Sequence, residues 1–136
     1  MDILAFWRAV IEQRREALPA YFAPDAVIRW HCTNERFTVA EYIRANCDYP
    51  GEWMGTVERI DRTENGYVTA VRVYPPDRSA ACHAVSFMTL KEDRIAALDE
   101  YWADDGEAPD WRKQMHLGRP IRREEDEAQP EEETNA

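Results

Sequence analysis

Cysteine is sparse in this 136-residue chain, with only Cys32, Cys47 and Cys82 present. The count is odd and no Cys-x-x-Cys spacing occurs. A disulfide framework is therefore not expected, and reduced thiols in a cytoplasmic protein are the plain reading. Long apolar runs are also missing. The N-terminus, MDILAFWRAVIEQRR, has no basic leader and is interrupted by Arg8 and Glu12, so it reads as neither a signal peptide nor a membrane span. Positive charge is in deficit: 17 Lys and Arg stand against 27 Asp and Glu, a net of −10. Half of that excess lies in Arg122–Ala136, where two Arg face seven acids for a net of −5. A mildly acidic domain is a poor partner for polyanions, which argues against nucleic acid and anionic membrane surfaces. No internal repeat is visible.

What is present suits one domain with a real core: 44% hydrophobic residues, five of them Trp. The chain is organised around Ala80–Trp102, AACHAVSFMTLKEDRIAALDEYW, which reads as two long strands joined at Lys91-Glu92-Asp93. Ala84, Ser86, Met88 and Leu90 fall on one face, with His83, Val85, Phe87 and Thr89 on the other. After the turn, Ala96, Leu98, Glu100 and Trp102 alternate with Ile95, Ala97, Asp99 and Tyr101. Both faces are largely apolar, so both are expected to be covered. Glu100 is then a carboxylate between Leu98 and Trp102 on a buried face.

Upstream, Ile3, Trp7, Val10, Ile11 and Leu18 form the stripe of an amphipathic helix. Pro19 opens a short second helix. Ala26–Cys32 reads as a strand, Thr33–Arg36 as a loop, and Thr38 with Glu41 as the capping box of a third helix. Glu52–Thr63 and Tyr67–Tyr74 read as strands joined by an Asn65-Gly66 hairpin, whose residues accept the positive φ of a tight turn. The expected architecture is α+β, a domain over residues 1–121 with a docked C-terminal extension from about 103. Residues 122–136 read as a disordered acidic tail.

Tyr21-Phe22-Ala23-Pro24-Asp25-Ala26 before the first strand, Arg94-Ile95 after the central turn, and Glu100-Tyr101-Trp102 at its end resemble the NTF2-like superfamily, most closely its SnoaL-like branch. The resemblance spans about Met1–Trp102. It implies a cone: a curved antiparallel sheet wrapped around three N-terminal helices, with a pocket at the open end. It also implies a homodimer through the outer sheet face, which would cover the second apolar side of the central strands. The superfamily includes isomerases, cyclases, dehydratases, epoxide hydrolases and non-catalytic binding or assembly domains, so fold alone does not fix function. Where ketosteroid isomerase-like members carry a general-base Asp, the matching position is Trp30. Their oxyanion-binding Asp falls nearest Ser86, and a first-helix Tyr position is Phe6. Steroid isomerase chemistry is therefore not the leading expectation.

Glu100 is the strongest acid/base candidate, because a desolvated carboxyl titrates nearer neutrality. Ser86 is its possible helper if the two strands pair in register. The bland alternative is an ion pair with an Arg at the pocket rim. Phe6, Trp30, Tyr42, Trp53 and Trp102 are candidate pocket walls suited to a small hydrophobic or aromatic molecule, or else plain core. His31, His83, Cys32 and Cys82 invite a zinc reading. Adjacent residues on one strand point to opposite faces, however, so no metal or other cofactor is expected. Three readings follow: a pocketed binding domain, an enzyme of the cyclase, isomerase or hydratase kind using Glu100, and a dimeric assembly module whose interior is filled by its own side chains.

Overall fold

The computed structural model of the protein describes residues 1–121. In chain order its elements are α1 (Ile3–Ile11), a 3₁₀ turn (Leu18–Tyr21), β1 (Phe22–Trp30), β2 (Glu35–Phe37), α2 (Val39–Cys47), β3 (Met54–Arg62), β4 (Gly66–Tyr74), β5 (Cys82–Lys91), β6 (Arg94–Asp104) and α3 (Asp110–Lys113). The strands form one curved sheet in the order β2-β1-β6-β5-β4-β3. All neighbours are antiparallel except β1 and β6, which run parallel with Ile28 beside Leu98 and Trp30 beside Glu100. The expected all-antiparallel sheet is thus a mixed one. The meander β3-β4-β5-β6 comes back alongside β1 in the same direction, and strand direction leaves no trace in the hydrophobic alternation of a single strand.

The core is the space between the helices and the inner sheet face. Phe6, Trp7, Val10 and Ile11 of α1, Leu18 and Phe22, and Tyr42 and Ile43 of α2 meet Ile28, Val57, Val71, Met88, Ile95 and Leu98 there, all buried. Asp2 starts α1 by accepting from the Ala5 amide, and α1 ends before Gln13, whose φ is +54°. The stripe that continues to Leu18 in sequence therefore belongs to two elements. The α2 capping box is formed as its residues predict, with the Thr38 hydroxyl accepting from the Glu41 amide and the Glu41 carboxylate from the Thr38 amide.

Four local features depart from the sequence reading. β1 begins at Phe22 rather than Ala26 and takes in Pro24 and Asp25. Its register with β6 shifts between Phe22 and Val27, and such an irregular stretch spares Pro from a ladder bond. β2 occupies part of the expected loop, a short edge strand with Phe37 opposite Ile28. At the central hairpin, Glu92 and Asp93 both have positive φ, +53° and +65°, and the β5–β6 register then skips at Ala96. That bulge brings Ile95 to the inner face, where it is fully buried, and restores the expected parity from Leu98 onward. Finally, neither Asn65 nor Gly66 takes a positive φ. A Cβ on Gly66 would lie 1.9 Å from the Met88 carbonyl oxygen, so glycine serves close strand approach.

Beyond β6, Asp105 is tied to the sheet, its amide donating to the Ala81 carbonyl. Trp111, Met115, Leu117 and Ile121 are exposed, so the apolar residues of the extension are not seated on the core. The acidic segment 122–136 lies outside the described residues. Among the described residues no helix is long and apolar enough to cross a membrane.

Candidate functional site

Strand register sets the centre of the inner face. Ser86 on β5 stands opposite Glu100 on β6, and Trp30 of β1 flanks it from the other side. Glu100 is only 1% exposed. Its Oε2 accepts from Ser86 Oγ at 2.5 Å and its Oε1 from Trp30 Nε1 at 3.0 Å. Burial raises the pKa of this carboxyl, and the donors from Ser86, Trp30 and Trp102 offset that only in part. Trp102 Nε1 is buried without an acceptor in hydrogen-bond geometry, and its contribution is the smallest. The donors are neutral, and no Arg, the bland alternative, bonds this carboxyl among the described residues. Tyr42 lies close enough to feel Glu100: its phenol is pushed well above the ordinary range, first by burial and then by the Glu100 charge.

Trp30 and Trp102 also line a cavity of about 310 Å³. Val10, Ile11 and Gln13 at the end of α1, and Ala45, Asn46 and Tyr49 at the end of α2, form one side. Cys32, Thr33, Trp53, Val73 and Cys82 complete it, and no charged side chain is among them. Its volume sits at the lower end of small-molecule sites, roughly 300–1,000 Å³.

Of the aromatic set singled out in the sequence, Trp30, Trp53 and Trp102 reach the cavity. Phe6 and Tyr42, expected on the same wall, instead point into the core behind it. Phe6 packs on Phe22, Phe22 on Tyr42, Tyr42 on Trp30 and Trp30 on Trp102, with centroid separations of 5.5–6.4 Å. One aromatic chain thus runs from the core to the cavity. Glu100 and Ser86 do not line the cavity themselves; the Trp30 and Trp102 side chains are shared between the carboxyl and the cavity wall. Gln13, Asn46 and Tyr49 were not picked out from sequence. The signal was their place at the ends of two helices that finish at the same rim.

His31 and His83 lie on the outer face. His31 Nε2 is 2.7 Å from Asp99 Oδ1, and its ring stacks on Tyr101. His83 sits between two carboxylates, Nδ1 at 2.5 Å from Asp105 and Nε2 at 3.1 Å from Glu58. Arg72 Nε donates to the other Asp105 oxygen at 3.0 Å. Burial pushes the Asp105 carboxyl up, but bonds from Arg72 and His83 outweigh it and hold the group below its usual range. Cys32 and Cys82 face the cavity, away from both imidazoles. All three cysteines are free, and burial, followed by Asp104 and Asp105, raises the Cys82 thiol. Among the described residues no group of three or more His, Cys, Asp or Glu is arranged to hold a metal ion.

No family model matches the sequence, and no curated protein matches it either. Solved structures do. A ketosteroid isomerase-like protein from Kribbella flavida is 25% identical, with a TM-score of 0.71 over 89% of each chain. An NTF2-like protein of unknown function from Burkholderia xenovorans is 22% identical, with a TM-score of 0.68 over 85% of this chain and 91% of that one. A SnoaL-like polyketide cyclase-type protein from Shewanella putrefaciens is 14% identical, with a TM-score of 0.59 over 83% and 81%. At such identities the last two speak for the fold alone. A curved sheet closed over its helices and these neighbours together give the chain the NTF2-like fold, which SnoaL-like proteins among the neighbours share.

Proposed function

We propose that this protein binds a small, uncharged, largely apolar or aromatic molecule in the cavity between the helix ends and the sheet. The observation that carries the reading is the cavity of about 310 Å³ walled by Trp30, Trp53 and Trp102 with no charged side chain. Three indoles supply broad apolar area with little rotamer entropy to lose, which suits a flat ligand. An open cavity also favours this reading over an assembly module filled by its own side chains. Calorimetric titration with small neutral aromatics tests it. Saturable binding weakened about tenfold by Trp53→Ala is the expected result. Absence of saturable binding by any such compound would end the reading.

A second reading, catalysis by Glu100 as general acid or base with Ser86 as its helper, is favoured by the buried carboxyl behind the cavity wall, whose pKa burial raises. For a substrate to meet it, the Trp30 or Trp102 side chain must move aside. Any bound compound should then be converted by the wild type and not by Glu100→Gln. Equal conversion by both, read by mass spectrometry, removes Glu100 from the chemistry.

The outer face supports a homodimer in the cytoplasm. Val85, Phe87 and Tyr101 are exposed there as neighbours, with Phe87 and Tyr101 in edge contact, and the three thiols are unpaired. Sedimentation should give a dimer that Phe87→Asp converts to monomer. A monomeric wild type at micromolar concentration would overturn this.

A further inference from the structure

The helix-end wall of the cavity has a polar character of one sign. Gln13 Nε2 donates to the Asn46 carbonyl at 2.9 Å and to the Tyr49 carbonyl at 2.7 Å, which uses both of its amide hydrogens. Asn46 Nδ2 donates to the Val10 carbonyl at 3.0 Å and lies 3.9 Å from Cys47 Sγ. These bonds fix the orientation of both side-chain amides, because an exchange of N and O would set oxygen against oxygen. The leftover groups are therefore the two side-chain carbonyl oxygens, Gln13 Oε1 and Asn46 Oδ1. Both residues line the cavity, and neither oxygen has a donor among the described residues.

The indole donors do not balance them. Trp30 Nε1 is given to Glu100 and Trp53 Nε1 to the Pro50 carbonyl, while Trp102 Nε1 is buried beside Glu100. Thr33, whose hydroxyl can donate or accept, is the one lining side chain able to act in either sense apart from the weakly bonding thiols and the Tyr49 phenol at the exposed rim. A ligand with no donor would cover the two carbonyl oxygens and leave them unpaired, whereas one with a single N–H or O–H would pair with them.

We infer that Gln13 and Asn46 select ligands carrying a hydrogen-bond donor: a neutral, flat, apolar body with one N–H or O–H, of the phenol or indole kind. This rests on the cavity reading above and adds the polarity that the ligand must have. The test compares isomers of equal size by calorimetry: 3-methylindole with 1-methylindole, and 4-methylphenol with anisole. In each pair only the first keeps its donor. The expected result is at least about tenfold tighter binding of the donor isomer, with the gap shrinking in Gln13→Met, whose helical content is checked by circular dichroism. Equal affinity within both pairs would overturn the donor rule while leaving the cavity reading intact. Binding by none of the four would remove the cavity reading and the donor rule with it. A Gln13→Met protein that fails to fold leaves the isomer comparison in the wild type as the decisive one.

Discussion

The two faces of the β5–β6 hairpin hold carboxylates under opposite regimes. On the inner face Glu100 is 1% exposed, and its hydrogen bonds come from two neutral donors, Ser86 and Trp30. On the outer face, just past the end of β6, Asp105 meets Arg72 and His83 and keeps partial access to water. Neutral donors do not repay the loss of hydration, so Glu100 holds its proton more tightly than a free carboxyl. Cationic and imidazole partners do, so Asp105 gives its proton up more readily. A few residues along one strand thus separate a site built for an uncharged environment from one built for ions. The lesson is that partner type, set by strand register, decides the state of each acid more than depth alone.

The widest gap opens if the outer cluster loses its cation. Arg72→Met removes the guanidinium that bonds Asp105 and lies over the Tyr74 ring. The expected cost at neutral pH is about 2–4 kcal/mol, somewhat below the roughly 3–5 kcal/mol for a fully buried pair because Asp105 keeps partial access to water. Asp105 has a depressed pKa, so its contribution is present above the ordinary carboxylate range and is lost as the pH falls through its folded value. The Arg72→Met penalty should shrink in acid, and chemical denaturation at two pH values measures it. A penalty that does not change with pH would show that Arg72 acts through packing alone.

On the inner face, Ser86→Ala removes the hydroxyl from Glu100 Oε2 without altering the strand. About 1–3 kcal/mol is expected for an acceptor left buried and unmatched. Since Ser86 holds the carboxyl's pKa down, its loss should move Glu100 further toward the protonated form. The carboxyl stretch in difference infrared spectra reads that directly. No shift in its titration would mean that the hydroxyl is not a true partner.

How much of this was legible in the sequence differs between the faces for a physical reason. The burial of Glu100 was readable, because Leu98 and Trp102 at i±2 fix its side of the strand. Its pairing with Ser86 depends on the Ala96 bulge: the pairs beside the turn, Lys91 with Arg94 and Leu90 with Ile95, would continue to Ser86 with Asp99, and the extra residue moves Glu100 opposite Ser86. The capping box of Thr38 and Glu41 was equally local. The outer cluster was not readable. Asp105 sits in what looks like a polar connector, and its partners lie 33 and 22 positions away on other strands. The parallel pairing of β1 with β6 was hidden likewise, as was the inward turn of Phe6 and Tyr42, which depends on how two helices are rotated against the sheet. Glycine at 66 suggested a turn conformation, while its use is a close approach to Met88 that only the third strand reveals.

The smallest effect is the sharpest test of the comparison, because it depends on sign. Glu100 has a raised pKa in the folded protein, so the folded state binds more protons than the unfolded chain just above the ordinary value of 4.5. Stability then falls as the pH rises from that value through the folded pKa, by at most about 1.4 kcal/mol per pH unit, and levels off above it. Glu100→Gln keeps the shape, an oxygen for Trp30 and an amide that the Ser86 hydroxyl can accept from, and it carries no charge to lose. The variant should match the wild type within about 1 kcal/mol at pH 4 and exceed its stability above the folded pKa. This slope opposes that of Asp105, so subtracting the variant's pH profile from the wild type's isolates the inner face. A difference that stays flat from pH 4 to pH 8 would mean that water reaches the carboxyl. The cavity and the Glu100 shell would then be one continuous polar site rather than a dry one screened by Trp30 and Trp102.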